Sequence, residues 1–146
     1  MVKAIIFDWV GTLYKFGEKG LYPFSEKVLK ELYPKYQLAV ISKAVPEDLE
    51  KRLNQIDPIK NYFKVITVDT EKTPEQFIDC MYKLGVTPKD TLVVDDRTIR
   101  GIKIGNALGC PTAWIQTGKY FYELPDKDTG EPTYNINSVE DLLKML

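Results

Sequence analysis

Short apolar runs recur along the chain, separated by longer stretches with helical spacing. Ala4–Phe7 is wholly apolar, ends abruptly at Asp8 and is followed by a Gly-Thr turn. Leu38–Ile41, Val65–Val68, Thr91–Val94 and Thr112–Ile115 repeat the pattern, and Tyr134–Ile136 adds a short sixth run. Such runs, bounded by turn residues, read as strands buried on both faces. Between them the apolar spacing predicts helices over Phe24–Leu32, Pro46–Ile56, Thr73–Lys83, Thr98–Leu108 and Val139–Leu146. Ser25, Thr73 and Ser138 stand at or near helix starts, Pro46 and Pro74 at first-turn positions, and Gly85 and Gly109 at helix ends. Asp141 stands where a capping box would carry Glu.

Strands alternating with helices imply βαβ units with right-handed crossovers. The expected fold class is therefore α/β, a mostly parallel sheet with helices on both faces. No internal repeat or low-complexity tract interrupts it. Gly118–Pro132, rich in charged residues, Gly and Pro, reads as a surface loop and as the least ordered stretch. The 146 residues are expected to form one domain, 1–146. A chain of this size buries roughly two-thirds of its unfolded surface.

Composition changes the picture in three ways. The net charge is −1, so no bulk attraction to nucleic acid or to an anionic membrane is implied. Histidine is absent, which excludes a Ser-His or Cys-His couple and leaves acid–base work to Asp, Glu, Lys, Tyr or Cys. The two cysteines, Cys80 and Cys110, lack CxxC spacing and read as buried free thiols in a reducing compartment. No run is long enough for a membrane span or a signal h-region, so a cytoplasmic protein is expected.

Four polar features fall at strand ends or just after them: Asp8, Ser42, Lys72 and the pair Asp95-Asp96. Singly each is an ordinary turn or cap residue. Adjacent carboxylates repel, however, and call for a cation or lysine nearby. Together the four suit phosphoryl transfer, which needs a nucleophile in line with phosphorus and positive charge on the equatorial oxygens. Asp8 can attack and form an aspartyl-phosphate. The acidic pair can hold Mg²⁺, which favours hard oxygen ligands. A lysine neutralises the phosphate, while a hydroxyl and backbone N–H groups cradle the remaining oxygens.

In this arrangement the chain resembles the haloacid dehalogenase (HAD)-like hydrolase superfamily, over nearly its whole length. Asp8-Trp-Val-Gly-Thr-Leu is similar to the nucleophile loop, Val40-Ile41-Ser42 to the second motif and Lys72-Thr-Pro-Glu-Gln-Phe to the third. Leu92-Val-Val-Asp95-Asp96-Arg97 is similar to the acidic fourth motif, followed by Gly101 and Gly109. Gln116-Thr-Gly-Lys119 and the closing Ile-Asn-Ser-Val-Glu-Asp-Leu-Leu are similar to the family's tail. The resemblance implies a Rossmann-like three-layer sandwich. It implies Asp8 as nucleophile and Mg²⁺ ligand, the Val10 backbone carbonyl as a second ligand, and Asp96 or Asp95 as the third. Ser42 and Lys72 would hold the phosphoryl group, with Gly11 and Thr12 contributing from the nucleophile loop.

Two positions depart from the pattern. Phosphatases of this family carry a second Asp two residues after the nucleophile, which protonates the leaving group and later activates water. Here that position is Val10. Arg100 stands where relatives often carry an acid after the metal-binding Asp, and Arg97 and Arg100 offer themselves as partners of the acidic pair. Only Tyr14 to about Lys35 lies between the first two motifs, so no cap domain is expected. The flap aromatics Tyr14, Phe16, Tyr22 and Phe24 then either cover the core or form a surface where a second copy completes the open site.

The expected function is a Mg²⁺-dependent phosphatase acting through Asp8 on a phosphorylated small molecule or macromolecule, with neither nucleic acid nor membrane as partner. Acyl or aryl phosphates suit it best. The alternatives are a weak or inactive module that binds Mg²⁺, phosphate or a protein, and a metal-free dehalogenase. A phospho-accepting receiver domain is set aside on chain order, because there the acidic pair follows the first strand.

Overall fold

The computed structural model describes residues 1–17 and 19–146. Six strands form one sheet: β1 (Ala4–Phe7), β2 (Gln37–Lys43), β3 (Val65–Asp69), β4 (Thr91–Asp95), β5 (Thr112–Ile115) and β6 (Tyr134–Ile136). Their order is β3-β2-β1-β4-β5-β6, and every pairing is parallel. The two central strands, β1 and β4, are buried throughout. Their carboxyl ends are where an open sheet of this kind places its ligands.

The helices are α1 (Ser25–Leu32), α2 (Leu49–Ile56), α3 (Pro74–Leu84), α4 (Lys103–Leu108) and α5 (Leu142–Met145). Alternation along β1 divides the core. Ile5 and Phe7 face one layer with Val28 and Leu29 of α1, Ile56 of α2 and Leu142 of α5. Ala4 and Ile6 face the other with Phe77 and Met81 of α3 and Ile104 of α4. Each fully buried Leu, Ile or Phe of these layers contributes about 1.5–3 kcal/mol. Cys80 and Cys110 are buried in the second layer, and burial pushes their thiols up to about 12 and about 11, which keeps them protonated and inert.

The helix predicted over Thr98–Leu108 has two parts, a π-helical turn at Thr98–Ile102 and α4. Pro46–Asp48 is likewise a 3₁₀ turn leading into α2. At the last helix Ser138 Oγ accepts from the Glu140 amide, but Asp141 reaches Asn137 N at 2.8 Å rather than the Ser138 amide. Ser138 therefore caps the turn, but the expected capping box is not made.

The 118–132 segment is better anchored than its composition suggests. Asn106 Nδ2 donates to Thr129 O (2.9 Å) and Glu131 O (3.1 Å), and Thr129 is buried. A tight turn at Asp126–Thr129 is closed by Asp126 Oδ1 accepting two backbone amides.

The flap aromatics are half-buried and turned onto the molecule. Tyr14 stacks on the buried Trp9 at 5.4 Å, and Tyr22 on Phe24 at 5.3 Å. Tyr14 and Phe24 pack against the core, while Phe16 lies against Tyr120. No helix among the described residues is long and apolar enough to cross a membrane.

Candidate active site

The end of β1 delivers Asp8 to the middle of the sheet edge, where its amide donates to Val94 O of β4 at 3.0 Å. β4 delivers Asp95 as its last residue and Asp96 just beyond it. Lys72 arrives from the loop before α3. That loop is rigid: Thr73 and Gln76 form a full capping box, and Gln76 Nε2 also donates to Glu71 O and Asp69 Oδ2. Lys72 Nζ consequently bridges Asp8 Oδ1 at 3.0 Å and Asp95 Oδ2 at 3.2 Å, with only 3% of its side chain exposed. Burial opposes charge on Asp8, but the Lys72 ammonium and the hydrogen bonds to the carboxylate together outweigh it and hold the carboxyl below its usual range. Burial likewise opposes charge on Lys72, and the two carboxylates more than compensate.

The acidic pair has two distinct environments. Asp95 is fully engaged: Oδ1 accepts from Arg97 N (3.0 Å), and Oδ2 from Gly101 N (2.9 Å) and Lys72. Asp96 is buried, and neither of its carboxylate oxygens meets a hydrogen-bond donor among the described residues. Burial, with the charges of Asp8 and Asp95, pushes its carboxyl up to about 10. A buried carboxylate without partners is costly. One oxygen from each of Asp8, Asp95 and Asp96 lies within 4.8 Å of the others. Such an all-oxygen donor set fits a hard divalent cation. Gly11 makes room for Asp96: its φ is +87°, and a Cβ there would collide with the Asp96 carboxylate and the Phe16 ring.

A cavity of about 280 Å³ opens over Asp8 and Asp96, lined also by Val10, Lys43, Arg52 and Arg100. Three sequence expectations change here. Ser42 lies inside β2 rather than after it, because pairing with β3 continues to Lys43↔Asp69. It is 2% exposed, and its hydroxyl accepts from Arg52 Nη1, which also donates to Lys43 O at 3.0 Å. Arg52 and Lys43 therefore line the cavity where Ser42 was expected to. Gly11 and Thr12 face a separate cavity of about 260 Å³. Their amides are spent inside the turn, on Tyr14 O and Trp9 O, and Thr12 Oγ1 donates to Asp8 Oδ2 at 3.3 Å. Arg97 pairs with Glu123 (3.0 Å) rather than with the acidic pair, and stacks over Tyr120 at 3.8 Å.

Sequence reasoning passed over Arg52 and Glu123. Arg52 was visible in principle as a charged residue in step with Ile56 on the inward face of α2, where Leu53 turns out to solvent. Glu123 had no local signal. It closes the π-helical turn from a distant loop, accepting from Arg97 Nε, Thr98 Oγ1 and Ile99 N.

Residues 5–115 match the sequence profile of haloacid dehalogenase-like hydrolases. The chain belongs to that family. The chain is therefore placed among the haloacid dehalogenase-like hydrolases. It is 29% identical over 93 residues to glyceraldehyde 3-phosphate phosphatase of Methanopyrus kandleri, an alignment spanning 60% of this chain but 40% of that relative's length. Its fold is similar to that of a HAD phosphatase from Thermococcus onnurineus (TM-score 0.76, 16% identity, 99% of this chain and 97% of that one). It is also similar to a magnesium-bound HAD hydrolase from Bacillus subtilis (TM-score 0.69, 23% identity, 86% of this chain and 56% of that one).

Proposed function

We propose that the chain is a Mg²⁺-dependent phosphatase working through phosphorylated Asp8. One observation carries the reading: a charged Asp8, held by Lys72, stands beside an Asp96 whose two buried oxygens have no partner among the described residues. Asp8, the Val10 backbone carbonyl and Asp96 would hold the ion. Asp95, already committed to Lys72 and two amides, would shape the site instead. When bound, Mg²⁺ supplies positive charge to the phosphoryl oxygens. The names of the Methanopyrus relative and the Thermococcus neighbour support the phosphatase assignment, and the Bacillus neighbour's ion supports the metal.

The chain's own groups set the steps. Lys72 keeps Asp8 ionised, so a carboxylate oxygen can form a bond to phosphorus while the bond from phosphorus to the leaving oxygen breaks and that oxygen departs with the electron pair. Arg52, oriented by Ser42, neutralises the non-bridging oxygens from the β2 side, while Lys72 acts through Asp8, whose Oδ1 it holds. Water then attacks phosphorus, the bond from phosphorus to Asp8 breaks, and the carboxylate is regenerated as phosphate leaves with the water's oxygen. The interval between β1 and β2 holds turns and α1, and we read it as lacking a cap.

Val10 lines the cavity where relatives place their proton donor. Losing such a donor costs about 10²–10⁴ in rate. Leaving groups stable as anions, those of acyl and aryl phosphates, are therefore favoured. The valine also supports a second reading, a module that binds Mg²⁺ and phosphate without turnover. Hydrolysis of p-nitrophenyl phosphate and acetyl phosphate, with Mg²⁺ and with EDTA, separates the two. Metal-dependent turnover abolished by Asp8→Asn is expected. Turnover no greater than in that variant, with Mg²⁺ still bound by the wild type, selects the module.

A further inference from the structure

With a divalent ion on its acids, the cavity over Asp8 would carry more positive charge than one phosphate monoester requires. Five cationic residues line it against two carboxylates, Asp8 and Asp96. Two of the five have assigned work: Arg52 sits on Ser42 and Lys43 O, and Arg97 is paired with Glu123. The other three are Lys43 on the β2 side, and Arg100 and Lys119 on the side of β4 and β5. No carboxylate of the described residues pairs with any of them. A divalent ion on the acids would widen the imbalance. Like charges gathered in one cleft repel, and they concentrate a ligand of opposite sign.

The aromatic wall narrows the class of ligand. Phe16 and Tyr120 meet at 5.9 Å and would offer a nucleobase a stacking face. Cations already cover them: Lys119 Nζ stands 5.6 Å from the Phe16 centroid and 5.5 Å from that of Tyr120, and the Arg97 guanidinium lies on Tyr120. The rim therefore presents charge rather than a bare ring. At about 280 Å³ the cavity also falls at the small end of ligand sites.

Resting on the reading of Asp8 as phosphoryl acceptor, we propose that the site takes a compact phosphate ester carrying a second anionic group, bound by Arg100 and Lys119 with Lys43 on the opposite wall. A carboxylate and a second phosphate share this chemistry. The tail of the substrate, not its phosphoryl end, would then set specificity.

Three ligands that cannot be hydrolysed test this by calorimetry in the presence of Mg²⁺. They are propylphosphonate, 3-phosphonopropionate and ethane-1,2-diphosphonate, which share a two-methylene linker and differ only in an apolar, a carboxylate or a phosphonate tail. The charged-tail ligands are expected to bind about tenfold more tightly, with the excess shrinking as salt is added. Whichever of the two is tighter names the second group. Replacing both cations, Arg100→Gln with Lys119→Gln, should remove most of the excess, whereas Arg100→Lys should retain it. Equal affinity for the three ligands, no binding by any, or an excess that survives the double replacement overturns the proposal. The measurement needs no turnover, so it stands apart from the Asp8→Asn test. A phosphatase without the preference loses this inference alone, and a preference without Asp8-dependent turnover loses the hydrolytic reading alone.

Discussion

The site has an inner half and an outer half, only a few residues apart, built on opposite principles. In the inner half every carboxylate oxygen of Asp8 and Asp95 has a donor, from Lys72, the Thr12 hydroxyl or the Arg97 and Gly101 amides. In the outer half Asp96 has two oxygens without partners, and Lys43, Arg100 and Lys119 have no carboxylate to pair with among the described residues. The acidic dipeptide spans the divide, with Asp95 on one side and Asp96 on the other. A satisfied network fixes geometry, and an unsatisfied one binds something. Neighbouring residues of the same type thus have different surroundings because the backbone delivers donors to one and an open cavity to the other.

The comparison can be attacked from both ends. The largest effect is expected from filling the gap in the outer half. Val10→Asp supplies a carboxyl facing the cavity and should raise the rate on alkyl phosphates by about 10²–10⁴, with a much smaller gain on aryl phosphates. Steady-state kinetics on a series of leaving groups reads it, and an equal gain across the series contradicts the missing-acid account.

Emptying the inner half comes next. Lys72→Met leaves Asp8 and Asp95 buried without their cation and should cost about 3–5 kcal/mol in urea unfolding. Adding Asp8→Asn to that variant should recover part of the loss. A cost under about 1 kcal/mol would place the lysine among ordinary surface pairs and erase the distinction between the halves.

The smallest effect, taken per pH unit, is a slope in stability. The folded Asp96 stays protonated up to about 10, whereas the unfolded carboxyl ionises near 3.8. Between those values the native metal-free protein binds the extra proton, so stability should fall as pH rises, by at most about 1.4 kcal/mol per unit for this one group. Asp95, raised by burial and by the Asp8 charge, pushes the same way. Asp8 is depressed, so its contribution is lost only below the usual carboxylate range, and Lys72 loses its own only above 10.5. Unfolding at about pH 5 and about pH 8 therefore isolates the raised carboxyls. Saturating Mg²⁺ should flatten the slope, and a metal-free protein that gains stability over this interval would reverse the assignment.

Much of this was legible in the sequence because it depends on local rules. Buried parallel strands are continuous apolar runs, and β1 and β4 were found on that signal. Their ends were less clear. Ser42 and Asp95 look like loop residues, yet the ladder to the neighbouring strand carries each of them one step further, Ser42↔Val68 and Asp95↔Trp114. Asp8, Lys72 and the acidic pair were read correctly as one cluster, since motif order along the chain maps onto adjacent strand ends. The division of labour within that cluster was not legible, because it depends on which backbone amides point at which oxygen. The same holds for Arg97, whose partner Glu123 lies on a loop that composition alone marks as loose.

Gly11 and Gly101 carry a consequence for how the family can vary. A side chain at either would run into an acidic carboxylate, that of Asp96 or that of Asp95. Neither glycine does chemistry, yet each is the far wall of a carboxylate's socket. At Gly101 the acid is the whole obstacle, so shortening Asp95 would open that position to a side chain, whereas Gly11 stays fixed by its positive φ and by Phe16 even without Asp96.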